Sequence, residues 1–180
     1  MHAVELPTMN AYPAGMSETE PGYRPCVGVM LVNAEGKAFV GKRIDNKEGD
    51  WWQMPQGGVD PGEDSEPAAL RELGEEVGAR PEHVEIVARL PEDLFYDLPP
   101  ELMGKLWGGR YRGQRQTWFL ARFRGTDDDI VLDRHHDPEF CEWKWVDPEL
   151  LPELIVPFKR EVYQAIVDGF RGKVPSSNSG

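Results

Sequence analysis

The chain has 180 residues, enough for one domain with a full hydrophobic core. Its net charge of −12 argues against an extended nucleic-acid footprint, and no apolar run is long enough to cross a bilayer. Two cysteines, Cys26 and Cys141, are too few for a disulfide framework. Each sits in an apolar, strand-like run, so both are expected to be buried thiols in a reducing, cytoplasmic setting.

Residues 1–22 are rich in Pro, Gly, Ser, Thr and Glu and have no period. They are expected to form a flexible arm, and they lack the basic start and apolar middle of a secretory signal. Val27–Val32 is a continuous apolar run, a buried strand, followed by a turn over Asn33-Ala34-Glu35-Gly36 and a returning strand, Ala38–Gly41. Trp51–Met54 is expected as a short third strand. A helix follows, with Leu70, Leu73 and Val77 as its apolar stripe, Asp64 or Ser65 as its cap and Gly78 as its left-handed stop. Strands are expected again over Val84–Leu90, Gln116–Phe123 and Glu142–Val146. A last helix runs from Pro157 to about Asp168 on the face Phe158, Val162, Ala165 and Ile166. The fold class is therefore α/β (α+β), a mixed β-sheet between helices over residues 23–173, with a loose polar tail over 174–180. Trp118, Phe119 and Trp145 are expected in the core, and His83 in solvent. His135 and His136 are adjacent, and neighbouring side chains rarely point together, which does not suit a transition-metal site.

Charge is unevenly spread. No acid occurs between Leu102 and Thr126, where Lys105, Arg110, Arg112, Arg115, Arg122 and Arg124 are all basic. That pattern suits a compact anionic ligand. The acids gather elsewhere. On the first helix, about 100° of rotation per residue puts Glu75 and Glu76 to either side of Glu72, so the three carboxylates share one face of about 100°. Like charges at these spacings repel, and Arg71, four residues before Glu75, offsets only part of that. A hard divalent cation, which seeks oxygen ligands, would offset far more. Ahead of the helix, Pro55-Gln56-Gly57-Gly58 brings main-chain groups to the same region, and Glu63 can orient a helix ligand or bind an ion itself.

These positions together resemble a complete Nudix box. Gly57, Glu63, Arg71, Glu72, Leu73, Glu75, Glu76, Gly78 and Ala79 fill the pattern G-x5-E-x7-R-E-U-x-E-E-x-G-U. Ala79 is a minimal apolar residue at its place, and Gly74 lies inside the helix, where glycine costs about 1 kcal/mol relative to alanine. Outside the box, the segments 23–28, 52–58, 111–119, 138–140, 143–145 and 157–163 resemble, in order, the bacterial RNA pyrophosphohydrolase and diadenosine polyphosphate hydrolase branch of that family.

The resemblance implies the Nudix fold and hydrolysis of a diphosphate linked to another group. It implies two or more Mg²⁺ or Mn²⁺ ions held by Glu72, Glu75, Glu76, Glu139 and the main chain of Gly57. Glu72 or Glu139 would take the proton from water. Gly58, Glu63 and Arg71 would support the box. For the substrate it implies Arg24, Arg43 and Lys159 on phosphates, Tyr111 and Arg115 as a clamp, Tyr96 and Phe158 as stacking surfaces, and Gln56 and Val156 beside them. Expected substrates are the 5′ end of triphosphorylated RNA, giving 5′-monophosphate RNA and diphosphate, or diadenosine tetraphosphate, giving ATP and AMP. A nucleotide sensor that does not cut is the alternative of another class.

Overall fold

The computed structural model describes residues 22–45, 49–134 and 137–174. The expected arm and tail, with His135 and His136, lie outside these, except that Gly22 opens the first strand and Val174 packs on the core.

Seven strands form one mixed sheet: β1 (Gly22–Val32), β2 (Ala38–Arg43), β3 (Gln56–Gly58), β4 (Val84–Arg89), β5 (Leu94–Asp97), β6 (Tyr111–Phe123) and β7 (Phe140–Val146). Its main order is β4-β6-β1-β2-β7, with β3 pairing β1 and β5 pairing β6. The central pair β1–β6 is parallel, and the other pairings are antiparallel. Helix α1 (Ser65–Val77) covers one face; α2 (Leu151–Leu154) and α3 (Arg160–Phe170) cover the other.

Coverage on both faces explains why β1 reads as an unbroken apolar run. Val27, Val29 and Leu31 pack beneath α1 with Leu73 and Val77. Met30 and Val32 point to the opposite core, with Trp118, Tyr163 and Ile166. Gly28 is required between them, because a Cβ there would enter the Trp118 ring. The turn after β1 forms as its residues dictate: the Asn33 side-chain oxygen accepts from the amides of Glu35 and Lys37, both at 3.0 Å, and Gly36 takes φ 77°.

Several expectations are corrected. Trp51–Met54 is extended but not a strand; only Gln53 bridges Gly41. The Trp52 amide donates to Leu154 O at the end of α2 and the Met54 amide to the Tyr163 hydroxyl, so partners outside the sheet replace a ladder. Asp64 precedes α1, but its side chain makes no capping bond, whereas Gly78 does stop the helix at φ 76°. Cys26 is buried but Cys141 is exposed, because β7 is an edge strand with one face in water. Trp118 and Phe119 are core, whereas Trp145 is half-buried against it. His83 is also half-buried and packs edge-on to Phe123, with ring centroids 6.1 Å apart.

Candidate active site

The helix acids do not simply face water. Successive turns of α1 bury Ala69, Leu73 and Val77, yet Glu72 is only 8% exposed and Glu76 only 2%. Leu70, expected in the stripe, is only half-buried. The reason is β3, the short strand carrying Gln56, Gly57 and Gly58, which passes over the acid face of the helix. A Cβ on Gly57 would land on the Glu72 carboxylate, and one on Gly58 would meet the Arg24 guanidinium. Those two glycines are therefore a steric requirement of the site.

Arg71 joins loop to helix. Its Nε and Nη2 donate to the two Glu63 oxygens at 2.9 and 2.8 Å, and Nη2 also donates to Gly58 O at 2.9 Å. Its Nη1 reaches Glu72 Oε2 at 2.9 Å and Glu75 Oε2 at 3.3 Å. This bonding holds the Glu63 carboxyl down at about 2. Glu63 thus positions Arg71 and, through it, Glu72. The expected pairing of Arg71 with Glu75 is present but is the longest of the set.

Glu76 is the most confined acid. Its Oε1 accepts from the Gln56 amide at 2.9 Å. Burial first, then the neighbouring Glu139 and Glu72 carboxylates, push its carboxyl well above the usual range. Glu72 is raised as well, chiefly by burial. Glu139 precedes β7 and is brought over by the Ile44 amide, which donates to its carbonyl at 2.8 Å. Glu72, Glu75, Glu76, Glu139 and Gly57 consequently line one cleft of about 1110 Å³. Among the described residues, no three His, Cys, Asp or Glu side chains are already closed into a metal cage. The donor set nevertheless fits a hard divalent cation: it is all oxygen, and Glu76, its deepest acid, has no cation within ion-pair distance among the described residues.

The same cleft takes in Arg24, Arg43, Gln56, Tyr96, Val156, Phe158 and Lys159. Lys159 is half-buried, and its ammonium is depressed to about 8 by burial and then by the Arg43 charge. Arg43 is held by Asp45 through two bonds of 2.8 Å, which take two of its five N–H donors. Phe158 is 37% exposed and offers a ring face. Tyr96 is 8% exposed and lies 5.8 Å from Phe158, so it backs that ring rather than presenting its own. Tyr111 and Arg115 do not reach the cleft; they line a neighbouring depression.

Sequence reasoning missed part of the lining. Ile44, Trp51 and Trp107 contribute to the cleft wall. Gln116 donates to Gln56 Oε1 at 3.0 Å and to Gln114 Oε1 at 2.7 Å, and accepts from Trp118 Nε1 at 2.8 Å, a buried polar chain running from the core to the cleft floor. The signal was Gln114 and Gln116 at alternate places, on the face that continues as Trp118 and Leu120. Strand β5, which carries Tyr96, was missed too; its cue was Leu94-Phe95-Tyr96 between Pro91 and Pro99.

A family model described as the NUDIX domain matches residues 22–166. The chain belongs to the Nudix family. It is 65% identical over 149 residues to a protein of Novosphingobium aromaticivorans named RNA pyrophosphohydrolase, covering 83% of this chain and 92% of that one. It is 60% identical over 152 residues to a protein of the same name from Erythrobacter litoralis, covering 84% and 93%. Two solved Nudix-type structures share the fold. The C. elegans Ap4A hydrolase binary complex superimposes with a TM-score of 0.60 at 22% identity, over 83% of this chain and 98% of that one. The E. coli dihydroneopterin triphosphate pyrophosphohydrolase does so with a TM-score of 0.63 at 21% identity, over 82% and 98%. Nudix hydrolases in general need divalent metal ions. Among the described residues, no helix is long and apolar enough to cross a membrane.

Proposed function

We propose that this Nudix chain is a metal-dependent hydrolase that removes diphosphate from the 5′ end of triphosphorylated RNA. The observation that carries the reading is the cleft itself. An intact acidic box, with a fourth carboxylate brought from across the sheet, faces a lysine, two arginines and an exposed aromatic ring. The identity with relatives named RNA pyrophosphohydrolase supports the choice of substrate. A cytoplasmic location follows from that substrate, and the folded unit is taken as residues 23–173.

Glu72, Glu75, Glu76, Glu139 and the Gly57 main chain would hold Mg²⁺ or Mn²⁺. Bound there, such ions supply positive charge that polarises phosphoryl oxygens and makes water more acidic. Arg24 and Lys159 hold the phosphate chain in line for attack. Phe158 stacks on a base, with Tyr96 and Val156 fixing its position. Glu72 and Glu139 are the two carboxylates placed to accept the proton from water. Arg71 keeps one Glu72 oxygen occupied, which fixes the direction of the other.

The test is purified protein with Mg²⁺ or Mn²⁺, assayed in parallel on triphosphorylated RNA and diadenosine tetraphosphate. Diphosphate and 5′-monophosphate RNA are the expected products. Preferential conversion of the dinucleotide to ATP and AMP would replace this substrate with the other. Binding of either without turnover would make the chain a sensor.

A further inference from the structure

Beside the catalytic cleft lies a second depression of about 690 Å³. Arg24, Trp107, Arg110, Tyr111 and Arg115 line it, opposite the box loop from Val59 to Glu63. Arg24 and Trp107 border both cavities, so the depression continues the cleft along that pair.

Its chemistry differs from that of the acid site. The Arg24 guanidinium lies 5.4 Å over the Trp107 ring, and Arg110 lies 5.3 Å over Tyr111. The two rings meet edge-on, with centroids 6.3 Å apart. Among the described residues, neither Arg24 nor Arg110 has a carboxylate within ion-pair distance, while Arg115 has Asp93 at 3.6 Å. The rim carries two acids. Both Glu63 oxygens are taken by Arg71, and Asp60 is exposed, with one oxygen 3.8 Å from Arg71. Three guanidiniums and two aromatic rings therefore gather in a chain of net charge −12. Trp107 is also the one non-glycine residue with positive φ among the described residues, at 53°. That backbone state is strained for a residue with a side chain, and it is sustained here where the indole borders both cavities.

We propose that this depression receives the RNA chain beyond its first nucleotides, with Arg110 and Arg115 against phosphodiester oxygens and Tyr111 against a base. Guanidinium forks suit phosphate oxygens, and an aromatic face accepts any base. The assignment rests on the RNA reading above. It gives the acid-free segment a role that a mononucleotide substrate would leave unused.

The experiment compares wild type, Arg110→Ala and Arg110→Glu on 5′-triphosphorylated single-stranded RNAs of two and ten nucleotides, across a salt series. Arg110 is exposed, and thermal melting checks that the variants fold. The expected result is a KM for the longer RNA raised about threefold to tenfold, more for Glu than for Ala, with the dinucleotide unaffected. The dependence of log KM on log salt should also weaken by about 0.7 for the longer RNA, one phosphate contact's worth for a single strand. Equal losses on both lengths, or none on either, would overturn the proposal while leaving the RNA reading intact. If wild type cleaved neither RNA, the RNA reading would fall, and this assignment with it.

Discussion

Glycine 57 has no side chain because the Glu72 carboxylate occupies the place where one would begin. Gly57→Ala is expected to displace that carboxylate at a stability cost of about 1–3 kcal/mol from overpacking, with a disproportionate loss of kcat. Urea unfolding alongside steady-state kinetics separates the two effects. Lys159 sets a pH limit. Its ammonium is charged below about 8 and neutral above, so its hold on phosphate is lost as pH rises through that value. KM for triphosphorylated RNA should therefore climb above about pH 8, and Lys159→Arg should abolish the climb, since a guanidinium stays protonated. A pH–rate profile of kcat/KM for both proteins decides the point.

Helix α1 shows how much an element can reveal and conceal. Its apolar spacing, its glycine stop and its box residues are legible in the sequence alone. The burial of Glu72 and Glu76 is not, because it depends on β3 crossing a face that looks solvent-exposed on an isolated helix. Arg71 bonds Glu63 and Gly58 O ahead of the helix as well as Glu72 and Glu75 on it. Arg71→Ala should cost roughly 2–3 kcal/mol, because Glu63 and the largely buried Glu72 lose their cation together. Arg71→Lys should recover only part, since an ammonium cannot form the two-pronged bond to Glu63. Denaturant midpoints of the three proteins test this. Gly74 is different. A Cβ there would meet only Ala79 O, at an ordinary 3.8 Å. Gly74→Ala is expected to stabilise the fold by up to about 1 kcal/mol, read as a higher melting temperature with activity retained.

At the scale of the whole molecule, the acid cluster opposes folding when no cation is bound. Glu76 has a folded-state pKa above its unfolded value. Between those values the folded protein binds more protons than the unfolded chain, so stability falls as pH rises through the window. Metal-free protein should melt higher as pH is lowered through that window. Glu76→Gln should flatten that slope and raise the metal-free melting point at pH 8 by a few degrees, about 2–4 °C per kcal/mol at this size. Divalent cations should stabilise wild type, because they bind only the folded state, and should do so far less in the variant. The same substitution should lower kcat/KM at least about 100-fold. Scanning calorimetry with and without Mn²⁺, together with turnover assays, checks each part.

The identities and spacing of the acids, the glycines and Arg71 were carried by the chain itself, because a helix repeats every 3.6 residues whatever surrounds it. So was the two-faced burial of β1, since an unbroken apolar run has no solvent side. The family resemblance already sets Glu139 beside the helix acids, whereas only the tertiary structure decided that Tyr111 and Arg115 stand apart from them and that Trp107 borders both cavities. Those relations join residues tens of positions apart through sheet pairing and loop closure, and local periodicity holds no information about either.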